Sequence, residues 1–130
     1  MIKEIAKYID NQTVLTLGTT LFAGFMPADV DGANVTVIET GGVPNFDLLD
    51  QQAKTIQVLS RSSDYWTART NALLVHNLLH GMKGVSLPVV SVAAYFVNTG
   101  EALSVPQSLG QDEKGRYVIS TNYVLRIENV

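Results

Sequence analysis

Hydrophobic residues at the start of the chain recur with the period of an α-helix. Polar residues separate them in a way that leaves one apolar stripe and one polar side. This pattern predicts a short amphipathic helix that ends near residues 10–11. The apolar stripe consists of Ile2, Ile5, Ala6 and Ile9.

A second, longer helical pattern occupies the middle of the chain. Ser62 or Ser63 can cap a helix that begins near Asp64, because a serine hydroxyl accepts a hydrogen bond from a backbone amide left free at the helix start. Gly81 and Gly84 are typical of the residues that end a helix. The predicted stripe is Ala68, Ala72, Val75 and Leu79, widened by Leu73, Leu78 and Met82. The helix is predicted to end near Met82.

Several segments have the composition of β-strands. Residues 35–38, 55–59 and 89–97 are short and rich in β-branched or other apolar side chains. From Tyr117 to Ile127, apolar and polar residues alternate over the longest period-2 stretch of the chain. That strand carries apolar side chains on both faces, so we expect both faces to be at least partly covered. Between the first two strands, residues 41–45 (Gly-Gly-Val-Pro-Asn) predict a break in regular structure.

The order of these elements predicts an α+β fold. We expect a mostly antiparallel β-sheet with two helices, one N-terminal and one central, packed on one face. The chain shows no linker, repeat or low-complexity tract, so residues 1–130 are expected to form a single domain. Two helices leave the other face of such a sheet short of cover, which is a first indication of a protein partner.

Composition narrows the classes of function. Charged residues make up 16% of the chain and hydrophobic residues 46%, so the chain has extra apolar surface to bury in its core or against partners. It has no cysteine, which excludes disulfides, thiolate metal sites and a cysteine nucleophile. A net charge of −3 and a pI near 5.2 argue against binding nucleic acid through phosphate neutralisation. We expect neither a membrane span nor a secretion signal.

The only two histidines of the chain have a spacing that can bind a metal ion. His76 and His80 lie one helical turn apart, as do the zinc-binding histidines of one class of metalloprotease. In those proteins a glutamate next to the first histidine is the general base, but here that position is Asn77, which cannot take this role. No third ligand is evident from the sequence. We therefore interpret both histidines as ordinary residues of a packed helix.

Other motifs for catalysis are also missing from the sequence. The glycines of residues 41–44 follow a strand but match no phosphate-binding pattern, and Pro44 removes a backbone donor. No G-x-S-x-G nucleophile motif is present. Acidic residues fall mostly in predicted turns, where solvated carboxylates are common. We accordingly predict no catalytic, cofactor-binding or metal-binding residue, no cofactor and no enzymatic activity.

The start of the central helix carries residues that suit either packing or protein contacts. Asp64 complements the positive end of the helix dipole, and Arg61 could pair with Asp64 or reach a neighbouring chain. Trp66 is the only tryptophan. Trp and Arg are over-represented among residues that dominate protein interfaces. For Trp66 we favour packing in the core over a role as an interface anchor.

Three stretches of the sequence together resemble the minor-capsid and tail-terminator (tail completion) proteins of bacteriophages and prophages with long, non-contractile tails. They are residues 40–44 (TGGVP), residues 56–65 (IQVLSRSSDY, continuing to Ala68 and Ala72) and residues 106–117 (PQSLGQDEKGRY, continuing to Ser120, Asn122 and Tyr123). Their order and spacing carry the resemblance, which covers nearly the whole chain. Gln111 departs from the resemblance, because the related proteins have a basic residue at that position as often as not. This departure affects only a salt bridge with Asp112.

The resemblance implies a structural role in the virion. A small subunit of this kind forms a homo-hexameric ring that caps the head-proximal end of the tail tube and stops its polymerisation. The ring joins the major tail tube protein to the head-completion (stopper) protein, and DNA passes through its lumen without specific binding. Assembly takes place in the cytoplasm of the host bacterium, without a membrane, and a free subunit can be monomeric until it meets the tube.

By the same resemblance, one loop and two structured segments carry the protein contacts. The loop of residues 41–50 would be mobile in the free subunit and ordered at a ring face. The corner at Arg61–Tyr65 and the long C-terminal strand would lie near contacts between subunits. The predicted protein-interaction residues are Gly41, Gly42, Val43, Asn45, Phe46, Asp47, Arg61, Asp64, Tyr65, Asp112, Arg116, Tyr117 and Asn122.

Three other interpretations stay open from the sequence. Another head–tail connector component, a stopper or an adaptor, would share the size and the habit of assembly. A small metal-dependent hydrolase would use His76 and His80. A small-ligand binding module is a further class, although nothing in the sequence marks a pocket.

Overall fold

A computed structural model describes residues 1–27, 32–44 and 51–129. Within these residues, two helices and seven strands follow one another. They are α1 (Ile2–Gln12), β1 (Leu21–Ala23), β2 (Asn34–Pro44), β3 (Gln51–Ser62), α2 (Tyr65–Leu79), β4 (Lys83–Ser86), β5 (Tyr95–Ala102), β6 (Gln107–Gln111) and β7 (Tyr117–Asn129).

All seven strands belong to one curled sheet. Its main order is β1-β2-β3-β7-β5-β4, and β6 pairs with β7 beside β5. Every pairing is antiparallel except that of β1 with β2. The long strand β7 pairs with β3 along one edge, and along its other edge it pairs with both β5 and β6. The predicted α+β fold with a mostly antiparallel sheet is confirmed.

Both helices pack on the same face of the sheet, as predicted. α1 lies against β1 and β2, and α2 lies against β3 and β7. Most residues that point toward the helices are apolar and buried, and they alternate with residues that point away, as the pleat of a strand requires. The main core contains Ile5 and Ile9 from α1, Val75 and Leu79 from α2, Val35 and Val37 from β2, Ile56 and Val58 from β3, and Tyr123, Leu125 and Ile127 from β7.

The opposite side of the sheet has no helix among the described residues. At its centre, β3 and β7 face each other through three directly paired residues on each strand. These side chains are partly exposed, apart from Ser120, which is buried by its neighbours. We call this surface the open sheet face; it consists of Thr55, Gln57 and Leu59 on β3 with Ser120, Asn122 and Val124 on β7.

The end of α2 is set by backbone geometry. The helix stops at Leu79, a few residues before the predicted end, because His80 is already extended and Gly81 has a φ of +83°. The amide of Gly81 then donates to the carbonyl of Gly100 on β5. A Cβ on Gly100 would lie 2.9 Å from the carbonyl oxygen of Leu79 and 2.6 Å from Cγ of Met82. Helix α2 can therefore approach β5 this closely only over a glycine.

The prediction that regular structure breaks at residues 41–45 is wrong for residues 41–44. Strand β2 continues to Pro44, with an irregularity in its pairing to β3 between Glu39 and Gly41. Gly41 and Gly42 have φ angles of 110° and 143°, which other residues rarely adopt. A Cβ on Gly42 would also fall 2.0 Å from the carbonyl oxygen of Ala53. The glycines thus permit an irregular strand and do not end it.

The strand predicted over residues 89–97 is also wrong for most of its length. Strand β5 begins only at Tyr95, and residues 88–94 have no regular structure. Val97 is buried in the core, but Val89 and Val92 are exposed. The apolar composition had suggested a buried strand, whereas only its last residues pair with β4 and β7. The short strands β1, β4 and β6 were not predicted.

We predict that Gly100→Ala lowers the free energy of unfolding by about 1–3 kcal/mol, because the added methyl group overfills the contact between α2 and β5. Urea denaturation followed by circular dichroism measures the change. Gly32→Ala is the matched control, since a Cβ there has nothing within 4 Å and no positive φ to oppose it. Equal stabilities of the two variants would contradict the prediction.

Candidate protein-interaction surfaces

The corner between β3 and α2 is held by hydrogen bonds of its own residues. The hydroxyl of Ser62 accepts from the amide of Asp64 at 3.1 Å. Asp64 is the N-cap of α2, and its Oδ2 accepts from the amide of Thr67 at 3.3 Å and from the hydroxyl of Thr67 at 2.7 Å. An aspartate in this position satisfies amides that a helix start leaves free. The direction in which Tyr65 leaves the corner is thereby fixed.

The turn between β6 and β7 lies beside this corner and is organised by Asp112. Its Oδ1 accepts from the amides of Lys114 and Arg116 at 3.0 and 2.9 Å, and its Oδ2 accepts from Nε of Arg116 at 2.8 Å. The amide of Arg116, with a smaller effect of its guanidinium group, lowers the pKa of Asp112 below the ordinary value of 3.8. Asp112 therefore serves to shape this turn.

Arg61 approaches the same turn from β3. It is 3% exposed, and its guanidinium group donates to the carbonyl of Pro27. Burial lowers the pKa of Arg61, and the nearby charge of Arg116 lowers it further, while Asp112 opposes the change. The side chain is thus part of the frame of the corner and offers little surface to a partner.

Aromatic rings form the exposed part of the corner. The ring of Tyr65 meets that of Tyr117 edge to face, with centroids 5.7 Å apart. It meets the ring of Trp66 in the same way at 5.1 Å. Trp66 is 69% exposed. We call this set the corner surface; it consists of Tyr65, Trp66, Asp112, Arg116 and Tyr117.

The interpretation of Trp66 as a core residue is wrong. The buried side of α2 at this end is formed by the small residues Ala68 and Ala72, which pack against Ile119 of β7. Trp66 precedes Ala68 by two positions, and residues two apart on a helix do not share a face. The small side chains bring the helix close to the sheet and leave the tryptophan pointing outward.

The structure brings together six of the predicted interaction residues and places four others elsewhere. Arg61, Asp64, Tyr65, Asp112, Arg116 and Tyr117 meet at the corner just described. Asn122 lies away from it, at the centre of the open sheet face. Gly41, Gly42 and Val43 lie near the far end of β2. Asn45, Phe46 and Asp47 lie outside the described residues.

Sequence reasoning missed an apolar strip along the edge of the sheet. Leu103, Val105 and Leu109 are all more than half exposed, and they lie in or next to the edge strand β6. Every residue of β6 is exposed and none is charged. Edge strands of soluble proteins usually carry charges or prolines that discourage pairing. Residues 103–110 contain no charged residue. This absence of charge is the sequence signal that could have predicted the strip.

The two histidines have contacts of their own within the fold. Their rings stack with centroids 5.2 Å apart. Nδ1 of His80 accepts from the amide of Ala102 at 2.9 Å, and Nδ1 of His76 lies 3.5 Å from the hydroxyl of Tyr123. Burial, and secondly the charge of His80, lowers the pKa of His76. The part of the chain that the structure describes contains no group of three or more His, Cys, Asp or Glu residues that could hold a metal ion.

Comparison with known proteins identifies the family. Residues 8–129 match the family model of the bacteriophage tail terminator protein. The chain belongs to this family. Its members are structural proteins of the phage tail, so the chain is a structural component of the virion. The resemblance noted from the sequence is thereby confirmed.

One solved structure shares the fold of this tail-terminator family member. A chain from a structure described as the virion of a native gene transfer agent particle superimposes with a TM-score of 0.56 at 18% sequence identity. The match covers 85% of the present chain and 80% of the other chain. No curated protein matches the sequence significantly. Among the described residues, no helix is long and apolar enough to cross a membrane.

We predict that stability falls on acidification below about pH 6.5, the ordinary pKa of histidine, partly through His76. Because the pKa of His76 is lower in the folded chain, the unfolded chain takes up a proton first as the pH falls, and the free energy of unfolding therefore decreases as the pH is lowered. Urea denaturation at several pH values from 8 to 5 measures this dependence. His76→Gln should flatten the curve; curves that stay parallel would exclude His76 as a cause.

Proposed function

We propose that the chain is one subunit of a hexameric ring that caps the head-proximal end of the tail tube. The ring stops polymerisation of the major tail tube protein and presents a surface to the head-completion protein. Membership of the tail terminator family supports this role. Residues 1–130 act as one domain in it, and the role needs no catalytic group, cofactor or metal ion.

The exposed aromatic corner is the observation that best supports assembly. A tryptophan that is 69% exposed adds apolar area that water disfavours, and here its ring already has an edge-to-face contact with Tyr65. A side chain fixed before binding loses less conformational entropy when a partner covers it. Tryptophan and tyrosine are also enriched among the residues that dominate interfaces. We infer that the corner surface contacts the neighbouring subunit.

A closed ring is compatible with a monomeric free subunit. Rings use a heterologous interface, in which two different surfaces of the same chain meet. Such an interface does not form a closed pair, so a subunit can stay free until the tube end arranges its neighbours. The segment of residues 41–50, which includes Gly41, Gly42, Asn45, Phe46 and Asp47, would lie at a ring face. Assembly takes place in the bacterial cytoplasm.

We expect that loss of this protein gives tail tubes of irregular, often excessive length without attached heads. A terminator is the component that halts addition of tube subunits, so its absence leaves the tube end open. Electron microscopy of particles from cells that lack the protein measures tube lengths, and addition of purified protein should restore capped tubes. Tubes of normal length without heads would indicate a stopper or adaptor instead, and normal joined particles would exclude all these roles.

Trp66→Ala should impair assembly without affecting the fold. We expect the free energy of unfolding to change by less than about 0.5 kcal/mol, because the side chain is mostly exposed. We expect binding to tube ends to weaken about thirtyfold, which corresponds to loss of a contact worth about 2 kcal/mol.

Val14→Ala is the control for this experiment. Val14 is an apolar residue that is 85% exposed and lies outside the corner surface. A co-sedimentation assay with purified tail tubes compares both variants with the wild type. Equal binding of Trp66→Ala and Val14→Ala would remove the corner surface from the interface.

A further inference from the structure

The open sheet face is electrically neutral. Its six residues, on the two central strands, include threonine, glutamine, leucine, serine, asparagine and valine but no charged side chain. By contrast, the helix layer on the other side of the sheet exposes Lys3, Lys7 and Arg69. Three exposed cations therefore lie on the helix side of the sheet, whereas the six central residues of the open sheet face include none.

Two arginines lie at the ends of this face, and neither makes it positive. Arg61 is almost fully buried, with its guanidinium group held by the carbonyl of Pro27. Arg126 is exposed, but Glu128 follows it two residues along β7, and Glu101 lies diagonally across from it on β5. The acidic neighbours offset the charge of Arg126 toward any ligand above this face.

Two polar side chains of the open sheet face are paired with each other, and a third is bonded to a neighbouring strand. Nε2 of Gln57 donates to the hydroxyl of Ser120 at 3.0 Å across the β3–β7 pair. The hydroxyl of Thr55 accepts from that of Thr40 at 2.9 Å. The amide donor of Gln57 is thereby in use and is poorly available to a phosphate group. The surface also lacks the aromatic side chains typical of the centre of a protein interface.

We propose that the open sheet face lines the channel through which duplex DNA passes, an inference that rests on the proposed ring. DNA adheres to proteins chiefly through neutralisation of its phosphates by Lys and Arg. A channel wall whose central side chains are uncharged minimises this adhesion. The wall lets the duplex slide, whichever genome sequence is passing.

This orientation leaves suitable surfaces for the other contacts. The helices then lie on the outside of the ring, with their cations directed away from the DNA. The corner surface and the uncharged edge strand β6 lie at the margins of the sheet, where neighbouring subunits would meet. The apolar side chains of that edge are Leu103, Val105 and Leu109.

The test adds a positive charge to the proposed wall. Gln57→Arg and Asn122→Arg are each assembled into tails, which are purified and mixed with a short linear DNA duplex. Each variant places one new cation per subunit in the channel, so the ring should retain DNA that wild-type tails release. With about six new phosphate contacts, retention should fall by about 10³-fold between about 50 and about 200 mM salt.

Asn77→Arg is the matched control, because Asn77 is exposed on α2 in the helix layer. Tails with this variant should behave like the wild type. If both open-face variants are folded by circular dichroism but fail to cap tails, the face is a protein interface and the proposal is wrong. If they cap tails without retaining DNA, or if the control retains as much, the face does not line the channel.

Wild-type behaviour separates this proposal from the one on which it rests. If wild-type protein does not cap tail tubes, the proposed function fails before the orientation of the face is in question. If wild-type protein caps tubes, the comparison of Asn122→Arg with Asn77→Arg decides the orientation alone.

Discussion

The pairing of β3 with β7 is the interaction on which the rest of the structure depends. All twelve residues of β3 pair with β7, from Gln51 opposite Glu128 to Ser62 opposite Tyr117. One side of this pair supplies Ile56, Val58 and the apolar residues of β7 to the helices. The other side is the open sheet face. Because side chains alternate along a strand, a slip of one residue would exchange the two sides, placing polar groups in the core.

The same pairing also sets the position of the corner surface. Strand β3 ends at Ser62, directly opposite the start of β7, so helix α2 begins where the turn from β6 arrives. The hydroxyl of Ser60 donates to the carbonyl of Ala68 at 2.7 Å, which holds the first turns of α2 against the sheet. The aromatic contact of Tyr65 with Tyr117 follows from this register.

The elements whose apolar residues recur at a regular spacing could be predicted from the sequence. Helix α1, the start of α2 and strand β7 each have a long stripe of apolar residues. The burial of these apolar residues determines the secondary structure of each element. The same applies to the expected shortage of cover on one face, because two amphipathic helices cannot cover both sides of a sheet. Arg61, Tyr65, Asp112 and Tyr117 were named as interaction residues from the family resemblance alone, and their proximity to one another was not predicted.

What could not be predicted depends on contacts between distant residues. Composition shows that Gly41 and Gly42 disfavour a regular strand, but it does not show that the partner β3 accepts an irregular one. Residues 89–92 are as apolar as a core strand, yet no neighbouring strand pairs with them. Trp66 is exposed because alanines on the adjacent helix face make the contact with the sheet. In each case the outcome depends on a partner strand, which the local composition does not reveal.

Low charge and exposed apolar groups would be liabilities for an isolated protein, but they suit a component of an assembly. An edge strand without charges can pair with other chains, and natural monomers avoid it. Here β6 keeps such an edge, and Trp66 stands exposed at the corner beside it. Neutrality at the centre of the sheet has a different consequence, because a wall without cations cannot hold phosphates. Placing adhesive groups at the margins and neutral ones on the face is what a subunit needs if it must bind its neighbours firmly and let DNA pass.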